Sequence, residues 1–481
     1  VVRKTLSAKN SGSSLKRASF AVAALVLFLA GVTLAVKVFP SNARTFYCGG
    51  RTVAEHRDPY LVEPLRSCEH AIVPHPGFDL NEVEPAPLPP FILAGLSVWA
   101  RLPYGTAHVV WCAVLVGSVV VAALALARLT GFPTLYVLLA LSFVDGLMNV
   151  GFGDVTPICV ALLCVAAVAA ERKAYRTSAI AAAAAMIEPH VALPACIALF
   201  IFAPATRIWL LSCAALLILA SISALGSGES FEYFKAVLPA QALAEVSAPD
   251  QYSLTWLLHR IGASDSTALR FGTLSYLFMG VAGVALARRL ALIYEYESFI
   301  VLFAPAAVLL GGTFIHDIQM GAAMPAALLL ASRARQLRGA IWATAILLAF
   351  PLFLGREHIS GMVVASAATC GVALMATRRS PVAVRLLLCL ALAGSVVAFD
   401  RSQRSASTIA QPPLRLPAGQ PNESASLQWA RYIDATAERG PWSWQDSLKF
   451  PVWLALGGLV AGGLAQLGPS PASRRSTPLH E

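Results

Sequence analysis

Apolar runs dominate the chain from end to end. Stretches of about 18–20 apolar residues recur along most of its length, each long enough to cross a bilayer as a helix. Read in order, they fall near residues 18–39, 105–128, 132–149, 154–170, 176–188, 190–203, 207–225, 268–288, 297–312, 317–332, 338–354, 360–376, 382–399 and 450–467. The fold class this predicts is all-α, a polytopic integral membrane protein of about 12–14 transmembrane helices. The pair 176–188 and 190–203 is short and reads as a broken or re-entrant hairpin around Glu188-Pro189.

Polar segments interrupt the pattern in three places: 40–104, 226–267 and 400–449. Within the first, Leu88-Pro-Pro-Phe to Ala100 is too short to span and return, so it reads as a helix lying at the interface. The second holds two amphipathic stretches, around Phe231–Leu243 and Tyr252–Ile261. The third, Ser402–Gln445, carries Pro412-Pro413 and reads as a mobile or loosely packed loop. The organisation that follows is a core over 1–399 with loops 40–104 and 226–267, a loop 400–449, and a last span with its tail over 450–481.

Composition agrees with this picture. The 481 residues are 57% hydrophobic and 13% charged, against roughly 25% charged in a soluble domain. A soluble globular protein and a disordered one are both excluded. The net charge of +10 raises nucleic-acid binding, but no basic stripe or stacking-aromatic module is present. Instead, basic residues cluster between spans. Alternate tracing puts Arg128, Arg172/Lys173/Arg176, Arg207, Arg288/Arg289, Arg333/Arg335/Arg338, Arg378/Arg379 and Arg474/Arg475 on one side, with the basic N-terminus. The positive-inside rule makes that side cytoplasmic, with both termini, and the three polar segments external. The run 18–39 is long for a signal peptide and lacks an obvious cleavage site, so it reads as a retained first span. The chain begins Val1-Val2, which fits an alternative start codon or a trimmed sequence and bears on nothing catalytic.

Candidate chemistry collects on the external side. Asp58, in Glu55-His56-Arg57-Asp58-Pro59-Tyr60, is held extended by Pro59 and could accept a proton from a hydroxyl; equally, Asp-Pro is a turn dipeptide. His316 and Asp317 sit where one span ends and the next begins, either as ionisable residues with a function or as a solvated helix start. Glu188 and His190 interrupt the apolar stretch 181–202, where a carboxylate needs a partner, a cavity or water. Asp145, Asn149 and Asp154 form a further polar cluster, as plausibly a helix boundary as a site. Arg66, His259 and Arg260 are external cations suited to phosphate or to lipid headgroups. No phosphate-binding glycine loop or metal-ligand spacing is present, so neither cofactor nor metal is expected. Seven cysteines lie in spans as small apolar residues; Cys48 and Cys68 alone share an external loop, which favours a disulfide.

In their order and sidedness, three segments resemble glycosyltransferase family 87, polytopic transferases that use polyprenyl-phosphate sugars and include mannosyltransferases. They are Asp58-Pro59-Tyr60 followed by Leu88-Pro89-Pro90-Phe91, the proline-broken hairpin Met186–Pro194, and Tyr252-Ser253-Leu254-Thr255-Trp256-Leu257-Leu258. The polar loop at His316-Asp317 is also similar, and the resemblance covers roughly residues 18–355. It implies a C-type glycosyltransferase fold in the plasma membrane with an outer-face active site. The donor would be a polyprenyl-phosphate sugar, and the acceptor a lipid-linked or cell-envelope glycan. Asp58 would carry over as general base for an inverting displacement, with Arg66, Arg260 or a protonated His316 stabilising the departing phosphate. One departure is Glu188, where the family often has lysine. Another cation binds the phosphate, or Glu188 contacts sugar hydroxyls, or this member is not an active transferase. Outside the resemblance, a transporter or flippase of lipid-linked sugars and a non-catalytic envelope-assembly protein remain alternatives; a transporter should place its polar residues at the bilayer midplane.

Overall fold

The computed structural model describes Leu25 and residues 41–72, 83–142, 149–248, 250–348, 419–436 and 449–467. The expected spans 360–376 and 382–399, most of 18–39, and Asp145 lie outside the described residues. The described residues are helical, with no strand among them. In chain order the helices are α1 (Ser41–Ala54), α2 (Val62–Ile72), α3 (Pro90–Trp99), α4 (Tyr104–Thr130), α5 (Thr134–Leu141), α6 (Thr156–Glu171), α7 (Tyr175–Ala184), α8 (Pro189–Phe202) and α9 (Arg207–Glu232). They continue as α10 (Leu238–Ala244), α11 (Leu254–Arg260), α12 (Asp265–Tyr294), α13 (Ser298–Val308), α14 (Met324–Arg333), α15 (Arg338–Leu348), α16 (Ala425–Thr436) and α17 (Lys449–Ala465).

Three helices, Tyr104–Thr130, Pro204–Ala244 and Asp265–Tyr294, are long and apolar enough to cross a membrane. They mark a membrane protein. Their outward faces carry large apolar side chains, such as Ile208, Leu211 and Leu219 on α9 and Leu277, Phe278 and Val281 on α12, which suit lipid rather than water. The other expected spans that fall among the described residues are shorter helices. Prolines and extended breaks account for this: Glu188 (φ −122°, ψ 82°) precedes Pro189, which disfavours helix at that position and splits the hairpin between α7 and α8. Gly226 (φ 80°, ψ 169°) interrupts α9 close to the predicted end of its span at residue 225. At the centre lies α13, buried along its whole length, packed against α6, α8 and α12.

At one end the basic residues close the bundle. Arg333 lies 3.8 Å over the Tyr296 ring and donates to the Leu129 carbonyl, which also accepts the Tyr296 hydroxyl. Arg207 and Arg338 donate to the Phe200 and Ala331 carbonyls, and Glu171 accepts from Ser298. Cations near helix C-termini satisfy carbonyls that the helix leaves open.

At the opposite end the structure departs from the sequence reading in two elements. Residues 41–54 form a helix, α1, with Arg44, Thr45 and Thr52 buried. It packs through Gly49 and Gly50 against α3; a Cβ on Gly50 would lie 2.7 Å from the Leu96 carbonyl oxygen. Polar Arg44, Thr45 and Thr52 are buried alongside Ala43, Phe46, Tyr47 and Val53, so no one-sided apolar period marks the helix. The second is the segment expected as a loosely packed loop: its described part contains α16, with Ser426, Gln428 and Ile433 buried, packed on α10 and α2. The short helices at 90–99 and 254–260 form where expected; α11 is capped by Ser253, whose hydroxyl accepts from the Trp256 amide.

Cys48 of α1 and Cys68 of α2 are joined by a disulfide, their Cα atoms 5.7 Å apart. Both thiols should resist maleimide in unreduced, denatured protein and react after reduction. Labelling before reduction would show the pair to be free.

Candidate active site at the loop end of the bundle

Asp58 is placed by the way α1 ends. His56 adopts a left-handed conformation (φ 56°), and the Arg57 amide turns back to the Thr52 carbonyl, a closure typical of helix C-termini. The chain then reverses at Asp58-Pro59, where Asp58 Oδ1 accepts the Tyr60 amide at 2.9 Å. The Tyr60 hydroxyl donates to the Leu88 carbonyl (2.9 Å) and the Tyr233 hydroxyl to the Pro87 carbonyl (3.0 Å), with the two rings 5.6 Å apart. The two tyrosines thus tie the Asp58 turn, the Leu88-Pro-Pro segment and the end of α9 into one unit. Asp58 is half-buried. Burial raises its pKa, and the Tyr60 amide opposes this only in part.

A second group of polar residues forms where α7–α8, the loop after α10 and the stretch between α13 and α14 meet. His316 Nδ1 is 2.9 Å from Asp250 Oδ2, and its Nε2 is 4.0 Å from Glu245 Oε2. Gln319 joins this pair to the hairpin: its Oε1 accepts the His316 amide at 2.9 Å, and its Nε2 donates to Glu188 Oε1 at 3.3 Å. The same Glu188 oxygen lies 3.1 Å from His190 Nδ1. Asp317 Oδ1 accepts the Ile318 amide, and the Asp317 amide reaches the Asp250 carbonyl. Asn149 donates to the Ile318 carbonyl (2.8 Å), while Asp154 accepts from Asn42 and from the amide and hydroxyl of Thr156.

Burial works against a charged His316, but the carboxylates of Asp250 and Glu245 outweigh it and its pKa is raised. The same pairing holds Asp250 below its ordinary value despite burial. Gln251 acts in the other direction. Its Oε1 is committed to the Ile315 amide at 2.9 Å, so its amide nitrogen faces His316 Nε2 at 3.2 Å and favours a neutral ring there. The imidazole is held at the meeting of two charge states. Glu245, Asp250 and His316 also place one donor atom each within 4.8 Å of one another, a set whose chemistry admits a divalent cation. Two of the three residues are already joined by the His316 Nδ1–Asp250 Oδ2 hydrogen bond.

The structure therefore brings Glu188, His190, His316 and Asp317 together, and sets Asp58 at the same end of the bundle. Other candidates are engaged elsewhere. Arg66 pairs with Glu63 (2.8 Å) and donates to the Gly419 carbonyl; His259 pairs with Asp265 (2.8 Å); Arg260 ends α11, half-buried. The sequence reading missed Arg44, which pairs with Glu84 at 3.3 Å, and also Glu245, Asp250, Gln251, Gln319 and Lys449. Arg44 and Lys449 are buried cations, 5% and 4% exposed. The one available signal was position: Asp250-Gln251 directly precede the Tyr252-Ser-Leu segment.

The model of glycosyltransferase family 87 matches residues 88–316. The match opens on Leu88 of the Leu-Pro-Pro-Phe segment and closes on His316, so it spans the hairpin at Glu188 and the Tyr252 segment. It bears out the resemblance read from the sequence and indicates a glycosyltransferase. No curated protein and no solved structure matches the chain.

Proposed function

We propose, with the glycosyltransferase match as premise, that the chain transfers a sugar from a polyprenyl-phosphate donor to a hydroxyl of a lipid-linked or cell-envelope glycan. The reaction takes place at the outer face of the plasma membrane. The observation that carries the reading is Asp58: a half-buried carboxylate of raised pKa, fixed through one oxygen, at the bundle end opposite the basic residues. The positive-inside rule makes that end external.

In this reading the acceptor hydroxyl gives its proton to the free oxygen of Asp58. The acceptor oxygen attacks the anomeric carbon as the bond from that carbon to the phosphate oxygen breaks. The electron pair leaves with polyprenyl phosphate, and the anomeric configuration inverts. Charge grows on the departing phosphate, which a fixed cation stabilises in a water-poor site. His316, held between Asp250 and Glu245, is the candidate for that cation; Arg44 and Lys449 are nearby alternatives that answer the absence of a lysine at position 188. Glu188, bonded to His190 and Gln319, is better suited to sugar hydroxyls than to phosphate.

The test is a transfer assay in isolated membranes with a panel of labelled polyprenyl-phosphate sugars. Label moving to a new glycolipid or glycan supports the proposal and names the donor. No transfer from any donor, with movement of lipid-linked sugar between leaflets of vesicles, would replace it with a flippase. Given transfer, its pH dependence follows from Asp58. A base must be ionised to act, so activity is present above the Asp58 pKa and lost as pH falls through it. Because burial raises that pKa, the acid limb of kcat/KM should lie above the ~3.9 of a free aspartate. A limb at or below that value would move the base to another residue.

A further inference from the structure

The end of α9 carries a carboxylate, Glu229, that takes no part in the proton transfer to Asp58. Gly226 (φ 80°, ψ 169°) breaks the helix and redirects residues 227–232. The Ser230 hydroxyl donates to the Gly226 carbonyl at 2.7 Å across the first turn after the break. The Tyr233 amide then donates to the Glu229 carbonyl, so these two residues stand one helical turn apart on one face. Tyr233 fixes where that face points: its ring lies 5.6 Å from Tyr60 and its hydroxyl donates to the Pro87 carbonyl at 3.0 Å. Tyr60 is the residue whose amide Asp58 accepts. Phe231 and Phe234 take the opposite face, 67% and 61% exposed. Glu229 is thereby turned toward the Asp58 turn. The electrostatics agree, because Asp58 repels Glu229 and both charges act on the Tyr60 hydroxyl. Among the described residues, Asp58 accepts only the Tyr60 amide, and the Glu229 side chain has no hydrogen bond or ion pair. The acids beside them are paired, Glu232 with Lys235 at 3.6 Å and Glu55 with Arg51 at 3.0 Å. Glu229 is also exposed, and so open to a ligand arriving from outside. Two carboxylates that face one another without a cation suit a molecule that brings several hydrogen-bond donors and no negative charge. A sugar ring with neighbouring hydroxyls is such a molecule.

We propose that Glu229 is an acceptor-binding residue: it accepts a hydrogen bond from a hydroxyl next to the one that Asp58 deprotonates, and so selects acceptors with two neighbouring free hydroxyls. The assignment rests on the transferase reading. It gives the two acids separate tasks. Asp58 receives a proton only as the acceptor oxygen attacks, so its loss falls on kcat. The Glu229 hydrogen bond forms when the acceptor binds and persists through the displacement, so its loss falls on acceptor KM. Held at two hydroxyls rather than one, the acceptor ring presents a single oxygen for attack on the anomeric carbon.

The experiment uses full-length protein in membranes, a labelled polyprenyl-phosphate sugar, and octyl hexopyranosides with their monodeoxy forms as acceptors. Glu229→Ala removes both oxygens at an exposed helical position and keeps helix propensity. Acceptor KM should rise ~5- to 20-fold, low in the range for a hydrogen bond to a charged group because water competes at an exposed site. Both kcat and donor KM should stay within about twofold. Glu229→Gln, a neutral acceptor in the same place, should fall between the two. With one monodeoxy acceptor the wild type should show the same rise and Glu229→Ala no further one, because both changes remove one bond. A merely structural role would not single out one hydroxyl. If no octyl hexoside is taken, the membranes' own acceptor is diluted with phosphatidylcholine, and the variant should lose rate at a ~5- to 20-fold higher acceptor content. An unchanged acceptor dependence, a loss confined to kcat, or penalties that multiply for every monodeoxy acceptor overturns the proposal and leaves the transferase reading standing. A wild type that transfers to no acceptor removes the transferase reading itself, and the role of Glu229 with it.

Discussion

Replacing Asp58 with asparagine is expected to cut sugar transfer by ~10²–10⁴-fold, the range ordinarily lost with a general base. The substitution isolates the chemistry from the fold. Asparagine keeps a carbonyl oxygen to accept the Tyr60 amide, as Oδ1 does at 2.9 Å, and Asn-Pro starts a turn as readily as Asp-Pro. The contacts of Tyr60 and Tyr233 with the Leu88 and Pro87 carbonyls do not involve the side chain at 58. The single loss is the ionisable oxygen. Initial rates at equal membrane expression, with donor saturating, give kcat; donor KM should be little changed, because the proton moves only in the transition state. Transfer within about threefold of wild type would remove Asp58 as the base and turn attention to His316, Asp317 and Glu188.

Gly153→Ala is expected to cost stability heavily, by ~2–4 kcal/mol, combining a left-handed residue with overpacking. Gly153 has φ +75°, and a Cβ there would lie 2.5 Å from the Ala43 Cβ and 3.0 Å from the Ala43 backbone nitrogen. Neither neighbour is the end of a flexible side chain, so α1 itself must shift. The Gly153 carbonyl also accepts the Trp111 indole at 2.7 Å, and the next residue, Asp154, binds Asn42 of α1. Unfolding in mixed detergent micelles, followed by fluorescence, gives the difference. A loss under ~0.5 kcal/mol would mean that α1 is free to move away from this turn.

The apolar spans and their breaks were legible because lipid-facing helices must be apolar over a fixed length, which leaves little room for other patterns. Hence α4, α9 and α12 emerge near their predicted bounds, and Glu188-Pro189 divides its hairpin as expected. Ionisable residues inside apolar surroundings were legible for the same reason, so Glu188, His190, His316 and Asp317 stood out before the structure joined them through Gln319. What the sequence hid is polar in a polar setting. Glu245, Asp250 and Trp429 lie in segments where acids and aromatics are unremarkable, and their meaning is a contact 184 residues apart between Trp429 and Glu245. Arg44 hid differently: it lies in a helix that buries Arg44, Thr45 and Thr52 together with Phe46, Tyr47 and Val53, so no one-sided hydrophobic period marks it. Arg66 has an acidic partner three residues away, Glu63, and Arg260 closes a short helix.

Trp429 donates to Glu245, Lys449 to the Gln251 carbonyl and Trp453 to the Tyr252 carbonyl, and these donors converging on the loop 245–252 have a consequence for the order in which the protein is made. A chain emerging from the ribosome delivers Asp58, Glu188 and His316 to the membrane long before Trp429, Lys449 and Trp453 exist. Until those last residues arrive, Glu245 lacks its indole donor and the carbonyls of Gln251 and Tyr252 lack their side-chain partners. The Tyr60 carbonyl likewise has no Ala425 amide to accept. The segments that carry Trp429, Lys449 and Trp453 are therefore the ones that complete the setting of the loop 245–252, and a chain that stops short of them carries the stretch matched by the family model without those contacts.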